Sequence, residues 1–136
     1  MSTLIHDETG TQRLVGYVIE VGHEDGCARC WLDVDERHLN RHNVLHGGIA
    51  TMLMDSASGA TGSMTVDPSG LAPFLSVSLN VQFIAAGQPG RVTAIGKITG
   101  GGRSIKFISA ELRHEDGTLI ATSTGVFKRV PQEKLS

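Results

Sequence analysis

The sequence predicts an α+β domain in which one long helix packs against a large, curved antiparallel β-sheet. Three observations lead to this fold class. Residues 75–83 alternate between apolar and polar side chains, which is the pattern of a half-buried strand. Further strand-like segments follow, separated only by short turns rich in glycine. A single stretch, which begins near Gly47, has the length and composition of a long buried helix.

The segments that precede the helix predict a β-hairpin. Residues 13–22 and 27–34 contain many β-branched and aromatic side chains, as strands do. The join between them contains Asp25 and Gly26, and Asp-Gly is a favoured hairpin turn. We therefore expect these two segments to pair as the first two strands.

A loop and then the long helix should follow the hairpin. Residues 35–46 are polar and rich in histidine and asparagine, which predicts a loop with a short helical turn. The helix is expected to begin near Gly47 and to end before Pro68 and Gly70, because both residue types interrupt helices.

Four strands complete the fold, over residues 75–83, 91–99, 103–114 and 118–129. In the first of them the apolar positions are Leu75, Val77, Leu79, Val81 and Phe83, and the polar ones are Ser76, Ser78, Asn80 and Gln82. Short connections imply antiparallel neighbours, because parallel neighbours require long crossovers. The sheet must then curl around the helix, and we expect residues 1–136 to form one domain.

The composition argues against several classes of protein. The net charge is −2 and only 4% of residues are aromatic, so the chain lacks the basic field and the stacking surface that nucleic-acid-binding proteins use. No run of about 18 apolar residues indicates a membrane span. The chain shows no signal-peptide pattern, and two cysteines cannot build a disulfide framework, so we expect a cytoplasmic location.

The predicted helix carries one charged residue, Asp55. Its apolar face consists of Ile49, Met52, Leu53, Ala57, Ala60 and Met64. The opposite face is small and polar, and consists of Gly48, Thr51, Asp55, Ser58, Gly59 and Gly62. An exposed helix face normally carries several charges. We therefore expect the sheet to cover one side of the helix and a second copy of the chain to cover the other.

The position of Asp55 in such a helix requires an explanation, since a buried carboxylate is unfavourable unless it is paired or hydrogen-bonded. A structural ion pair or a bond to a backbone amide is one explanation. Catalysis is the other, because Gly47 places unsatisfied N–H groups at the helix start. Eight helical residues span roughly 12 Å, too far for both groups to act on one carbonyl. The two groups would cooperate only if they came from different helices.

The motif of Asn40, His46, Gly47, Gly48 and Asp55 resembles that of the hotdog-fold acyl-CoA thioesterases of the phenylacetate-degradation (PaaI) type. The resemblance extends through "SVSLNVQFI", "GGGRSIKF" and "GTLIATSTGVF". It implies one long central helix wrapped by a curved antiparallel sheet. It also implies a homodimer or a dimer of dimers with sites at the interface, hydrolysis of a small acyl-CoA, aromatic ones included, and no cofactor.

The resemblance also implies roles for single residues. Asp55 matches the catalytic carboxylate, acting as a general base on water or as a nucleophile. The Gly47 N–H matches the group that polarises the thioester carbonyl. Asn40 matches a residue that helps to place substrate or water, and His46 supports the loop and the helix start.

Hydroxyl and basic residues complete the predicted site. Ser76 matches a serine close to the acid. Some relatives carry a threonine one turn after the acid, where this chain has Gly59, so a helping hydroxyl must come from Ser58 or Ser76. Arg103 and Lys106 flank a glycine-rich turn and suit the phosphates of coenzyme A, although unpartnered surface charges are the other interpretation.

Two motifs have competing interpretations that we do not favour. Cys27 and Cys30 form a C-x-x-C, but on a strand residues three apart point to opposite faces, so redox or metal chemistry is not expected. His38, His42 and His46 are spaced by four and would line one helical face, but their segment is expected to be a solvated loop. We predict no metal site.

Two other function classes remain open. A hotdog hydratase or dehydratase would pair a histidine with an acid for proton transfers on the acyl chain. A non-catalytic acyl-CoA-binding module would have no use for Asp55. Release of a free thiol from acyl-CoAs distinguishes both from a thioesterase.

Overall fold

The computed structural model describes residues 2–131 and contains two helices and seven strands. In chain order these are β1 (Thr3–Ile5), α1 (Gly10–Val15), β2 (Val18–Val21), β3 (Arg29–Val34), α2 (Gly47–Met64), β4 (Phe74–Phe83), β5 (Gly90–Gly101), β6 (Ile105–His114) and β7 (Leu119–Arg129). A short 3-10 helix, Glu36–His38, precedes α2 and is the predicted helical turn. Met1 and residues 132–136 of the predicted domain lie outside the described residues.

The seven strands form one antiparallel sheet in the order β1-β2-β3-β5-β6-β7-β4. Helix α2 packs against β2 to β7, so the predicted arrangement of one long helix and a surrounding antiparallel sheet is confirmed. Both layers contribute to the core, whose largest buried members include Leu32, Leu53, Met54, Val92, Leu112 and Ile120.

The start of the chain differs from the prediction. Residues 13–15 belong to α1, so the strand predicted over 13–22 begins only at Val18, and the short strand β1 was not predicted. Helix α1 is capped by Thr9, whose hydroxyl accepts a hydrogen bond from the Gln12 N–H, and by Gly16, which lies in the left-handed region. The hairpin itself is confirmed, because β2 and β3 pair antiparallel.

The buried side of α2 is rotated relative to the predicted apolar face. Ala50, Met54 and Thr61 are buried, whereas Ile49 and Met52 are only partly covered. The reason is that small residues let the helix approach the sheet closely: a Cβ on Gly96 of β5 would lie 2.7 Å from the carbonyl oxygen of the helix at position 57. The face that carries Asp55 is half-buried.

Strand β4 pairs with β7 alone and forms one edge of the sheet. The register between the two strands shifts between Ser76 and Ser78, which marks a β-bulge. Directly opposite residues lie on the same face. Ser76 lies opposite the buried Phe127, so it faces α2 together with Phe83, which lies opposite the buried Ala121. The alternation read from the sequence therefore holds within β4 only on each side of the bulge.

Among the described residues, no helix is both long and apolar enough to cross a membrane.

Candidate active site

Asp55 and Ser76 are in direct contact. The Ser76 hydroxyl donates a hydrogen bond of 2.5 Å to Asp55 Oδ1. That length is typical of a hydroxyl bound to an ionised carboxylate. Among residues 2–131, no lysine, arginine or histidine forms a salt bridge with Asp55. An intramolecular ion pair within this part of the chain therefore does not explain the acid.

The alternative hydroxyl, that of Ser58, lies elsewhere. Its side chain is fully buried on α2, and its oxygen has no hydrogen-bond partner within the described residues. Of the two hydroxyls considered from the sequence, Ser76 is the one bonded to the acid.

His46 caps the start of α2. Its Nδ1 accepts a hydrogen bond of 2.8 Å from the Gly48 N–H, which leaves Nε2 as the protonated nitrogen of the neutral ring. The His46 carbonyl accepts from the Ala50 N–H as the first helical bond. In the described part of the chain the Gly47 N–H has no acceptor. The Ile49 N–H likewise has none, so the helix start presents two free donors, with the positive end of the helix dipole behind them.

The two glycines at the helix start make room for two aromatic rings. A Cβ on Gly47 would lie 3.2 Å from Cε1 and 3.3 Å from Cζ of Phe83. A Cβ on Gly48 would lie 2.9 Å from Cε1 of His46. The free Gly47 N–H therefore lies in the first turn of α2, where both rings pack.

Strand β4 runs antiparallel alongside α2 and connects these features. A Cβ on Gly62 would lie 3.3 Å from the Phe74 ring, Ser76 contacts Asp55, and Phe83 contacts Gly47. The acid and the free N–H thus lie on the side of α2 that faces the open edge of the sheet.

Asn40 lies in the loop before α2 and its oxygen is already engaged. Oδ1 accepts a hydrogen bond of 2.9 Å from the His42 N–H, and the Asn40 backbone bonds to both Asn43 and Val44. Among the described residues it makes no hydrogen bond to Asp55, Ser76 or the helix start.

Three basic residues meet near the C-terminal end of α2. Arg103, Lys106 and Arg129 line a cavity of about 380 Å³ together with Thr65 and Val66. The Lys106 ammonium donates a hydrogen bond of 2.6 Å to the Gly102 carbonyl. No carboxylate within residues 2–131 forms a salt bridge with any of the three. Ten helical residues, roughly 15 Å, separate Asp55 from Thr65.

Arg129 was missed in the sequence because only sheet pairing brings it to this cavity. Strand β7 lies beside β6, with Lys128 opposite Ile105, so residue 129 comes next to the β5–β6 turn. The Arg129 N–H donates to the Ser104 carbonyl at 2.8 Å. No local sequence signal indicates this proximity.

The surroundings of the histidine and cysteine motifs indicate roles in the fold rather than in chemistry. His38 is buried, contrary to the expected solvated loop: Nε2 contacts the Val15 carbonyl at 2.8 Å and Nδ1 accepts from the Asp35 N–H. No group of three or more potential metal ligands occurs within the described residues. Burial raises the pKa of the Cys30 thiol, and burial followed by the charge of Asp25 raises that of Cys27.

Comparison with known proteins identifies a family and relatives to which this chain is similar. A family model described as the thioesterase superfamily matches residues 42–121, more than half of the chain. Acyl-coenzyme A thioesterase 13 of Homo sapiens is 29% identical over 112 residues, which cover 81% of this chain and 78% of that protein.

Solved structures resemble the fold as a whole. The PaaI protein from the phenylacetic acid degradation operon of E. coli matches with a TM-score of 0.78 at 20% identity, covering 92% of this chain and 87% of that chain. A protein of Bacillus halodurans, solved with CoA, matches with a TM-score of 0.80 at 23% identity, covering 93% of this chain and 82% of that chain. At these identities the two likenesses establish the fold.

Proposed function

This chain belongs to the thioesterase superfamily, as its sequence motifs predict, and we propose that it hydrolyses a small acyl-coenzyme A, aromatic ones included, to the free acid and coenzyme A. One observation carries the proposal: Asp55 is held by the Ser76 hydroxyl and by no cation of the described chain, so its carboxylate is available for chemistry. The CoA thioesterase and the CoA-bound structure among its relatives support coenzyme A as the carrier.

Asp55 acts on water or on the thioester itself. The Ser76 hydroxyl fixes Oδ1, which leaves Oδ2 to take a proton from water as that water attacks the carbonyl carbon. The C–S bond then breaks, and coenzyme A leaves as a thiol with the proton returned to sulfur. A positioned base contributes about 10²–10⁴ in rate. Direct attack by the carboxylate, followed by hydrolysis of the anhydride, is the second route open to the same residue.

The Gly47 N–H stabilises the oxyanion. It is free within the described chain, it points from a helix N-terminus, and an oxyanion donor of this kind contributes about 2.7–4 kcal/mol. His46 holds the turn that presents it, and Asn40 helps to place substrate or water through its remaining amide group. Within the described residues His46 forms no salt bridge with a carboxylate, whereas a hydratase would pair its histidine with an acid.

A homodimer, assembled further into a dimer of dimers, completes the proposed site. The free edge of β4 presents unpaired backbone N–H and C=O groups, with which the β4 of a second copy can pair. Antiparallel pairing centred on Asn80, with Val77 left out of the ladder by the bulge, puts Ser76 of one copy opposite Phe83 of the other. Since Ser76 contacts Asp55 and Phe83 contacts Gly47, each site then combines the acid of one copy with the helix start of its partner.

The basic cavity suits the phosphates of coenzyme A. Arg103 and Lys106 were expected in this role, and Arg129 adds a third charge. Phosphate oxygens accept charge-assisted hydrogen bonds from such groups. With the cavity roughly 15 Å beyond Asp55 along α2, the carrier would extend from the acid toward the C-terminal end of that helix. The two unpaired cysteines fit a reducing compartment, and we propose a cytoplasmic enzyme.

A thiol-release assay with a panel of acyl-CoAs tests the function, with Asp55→Asn as the decisive variant. We expect kcat to fall at least about 10²-fold, because Asn keeps the shape and a hydrogen-bond acceptor but loses the basicity. The melting temperature should hardly change. Asp7→Asn, at an exposed position, is the matched control and should keep full activity.

Three results would contradict the proposal. Wild-type protein that releases no thiol from any acyl-CoA would favour a binding module. Hydration of an enoyl-CoA without thiol release would favour the hydratase class. A folded Asp55→Asn protein with near wild-type turnover would remove Asp55 from the mechanism.

A further inference from the structure

The structure assigns to Phe83 the choice of acyl group: we propose that its ring excludes acyl groups branched at the carbon next to the thioester carbonyl and packs against unbranched or planar ones. The inference rests on the proposed function, since it takes the Gly47 N–H as the group that binds the carbonyl oxygen. It adds a residue that decides the shape of the substrate.

Phe83 is an exposed aromatic side chain in an unusual place. The residue is 61% exposed, although it lies on the helix-facing side of β4. Its ring atoms lie 3.2 and 3.3 Å from the point where a Gly47 Cβ would stand, so the ring packs directly on the Gly47 backbone. A carbonyl oxygen hydrogen-bonded to the Gly47 N–H would be about 2.9 Å from that nitrogen. One substituent of the carbonyl carbon must therefore pass beside the ring.

The direction of the coenzyme identifies that substituent as the acyl group. In the proposed dimer the carbonyl lies between Asp55 of one copy and Gly47 of the other. The basic cavity at Arg103 and Lys106 lies beyond Asp55, on the side away from the partner's helix start. The sulfur and its carrier extend toward that cavity, and the acyl group extends toward Phe83 beside Gly47.

The backbone that carries the ring is held by contacts on both sides. Phe83 pairs with Ala121 in the sheet, and the N–H groups of Ile84 and Ala85 both donate to the Ile120 carbonyl, at 2.8 and 3.0 Å. The loop that follows is tied to the loop before α2 by the Leu45 N–H, which donates to the residue 87 carbonyl at 2.8 Å. The backbone of Phe83 therefore cannot move away from the helix start to admit a wider substrate.

The flat ring, packed on the Gly47 backbone, leaves room beside the donor for a narrow group only. A methylene or a planar ring next to the carbonyl lies along the face of Phe83 and gains van der Waals contact. An additional methyl on that carbon would either clash with the ring or push the carbonyl oxygen away from the Gly47 N–H. Discrimination of one methyl group by an enzyme pocket amounts to about 10–200-fold in kcat/KM.

Butyryl-CoA and isobutyryl-CoA test the inference, because they have the same composition and differ only in branching. If the enzyme turns over aryl substrates better, phenylacetyl-CoA and 2-phenylpropanoyl-CoA form the equivalent pair. We expect wild type to prefer the unbranched member about tenfold or more. Phe83→Ala should raise kcat/KM for the branched member and lower it for the unbranched one, so that the ratio moves by at least about tenfold.

Two further variants separate this role from general damage. Phe83→Leu keeps an apolar side chain of similar reach, and its ratio should lie between those of wild type and Phe83→Ala. Leu14→Ala removes an exposed apolar side chain on α1 and should leave the ratio unchanged. A gain on the branched substrate cannot arise from misfolding.

The outcomes distinguish the inference from the function on which it rests. If Phe83→Ala and Phe83→Leu lower kcat/KM for both members of the pair by the same factor, the ring contacts the part that the two substrates share. The inference is then wrong, while the proposed thioesterase function is unaffected. If wild-type protein releases no thiol from any acyl-CoA, the proposed function fails and the inference with it.

Discussion

Ser76 Oγ donates a hydrogen bond of 2.5 Å to Asp55 Oδ1, and a β-bulge in β4 makes this contact possible. In an unbroken strand, Ser76 would lie on the face opposite to Phe83. The extra residue at Val77 reverses the alternation, so that both side chains face α2. Bulges occur often next to functional sites because they redirect a single side chain in this way.

Removal of the Ser76 hydroxyl should impair turnover without unfolding the protein. Ser76 is exposed and lies on an edge strand, so Ser76→Ala removes little packing. A hydrogen bond to a charged group contributes about 1.5–3 kcal/mol, so we expect kcat to fall roughly tenfold or more as Asp55 loses its fixed orientation. Ser76→Thr retains a hydroxyl on a residue that suits strands and should recover most of the rate. Equal kcat values for the Ala and Thr variants would show that the hydroxyl has no positioning role.

His46 is expected to act through the helix start rather than through proton transfer. His46→Asn offers a side-chain oxygen to the Gly48 N–H and should keep most of the stability and kcat. His46→Ala removes the cap, which should lower the free energy of unfolding by about 1 kcal/mol and misplace the Gly47 N–H. Thermal unfolding and thiol release on both variants provide the check. An inactive but fully stable Asn variant would instead indicate that the imidazole takes part in the reaction.

The cysteines should be dispensable. Burial raises the pKa of both thiols, so little thiolate is present near neutral pH and thiol reagents should react slowly with the folded protein. Cys27→Ser combined with Cys30→Ala should leave turnover intact; alanine is chosen at position 30 because a buried serine hydroxyl without a partner would cost about 1–3 kcal/mol. Complete loss of turnover in a folded double variant would restore the redox interpretation of this pair.

The local patterns of the sequence predicted most elements of the fold. The helix bounds and the four later strands follow from periodicity and glycine-rich turns, which act over a few residues. Helix α1 was missed although its signal is present: Thr9 followed by Gln12 is the spacing of a helix cap. The apolar residues around Val15 are equally compatible with a strand, and this ambiguity caused the wrong prediction.

The candidate site was predictable only in part. Asp55, Gly47 and His46 lie in one helix and its cap, so their relation follows from helix geometry. The bulge at Val77 depends on the register with β7, and the position of Arg129 depends on β6, so neither can be read from a single segment.

Gly47→Pro tests the oxyanion donor with little disturbance of the helix. Proline is favoured at the first position of a helix, and His46 already has φ −61° and ψ 132°, the conformation that a residue before proline prefers. The exposed Phe83 side chain can move by the small amount that a ring at position 47 requires. Since proline has no N–H, we expect kcat to fall about 10²–10³-fold at an unchanged melting temperature.

Mixing this variant with Asp55→Asn tests whether two copies share each site. Every homodimer of either variant has two defective sites. In a mixed dimer both defects fall in one site, and the other combines an intact Asp55 with an intact Gly47. Random exchange makes half of the dimers mixed, so two inactive preparations should together recover about a quarter of the wild-type rate. Light scattering must show a dimer or larger assembly throughout. If subunits exchange, as mass spectrometry can establish, and no activity returns, then the acid and the N–H do not come from different copies.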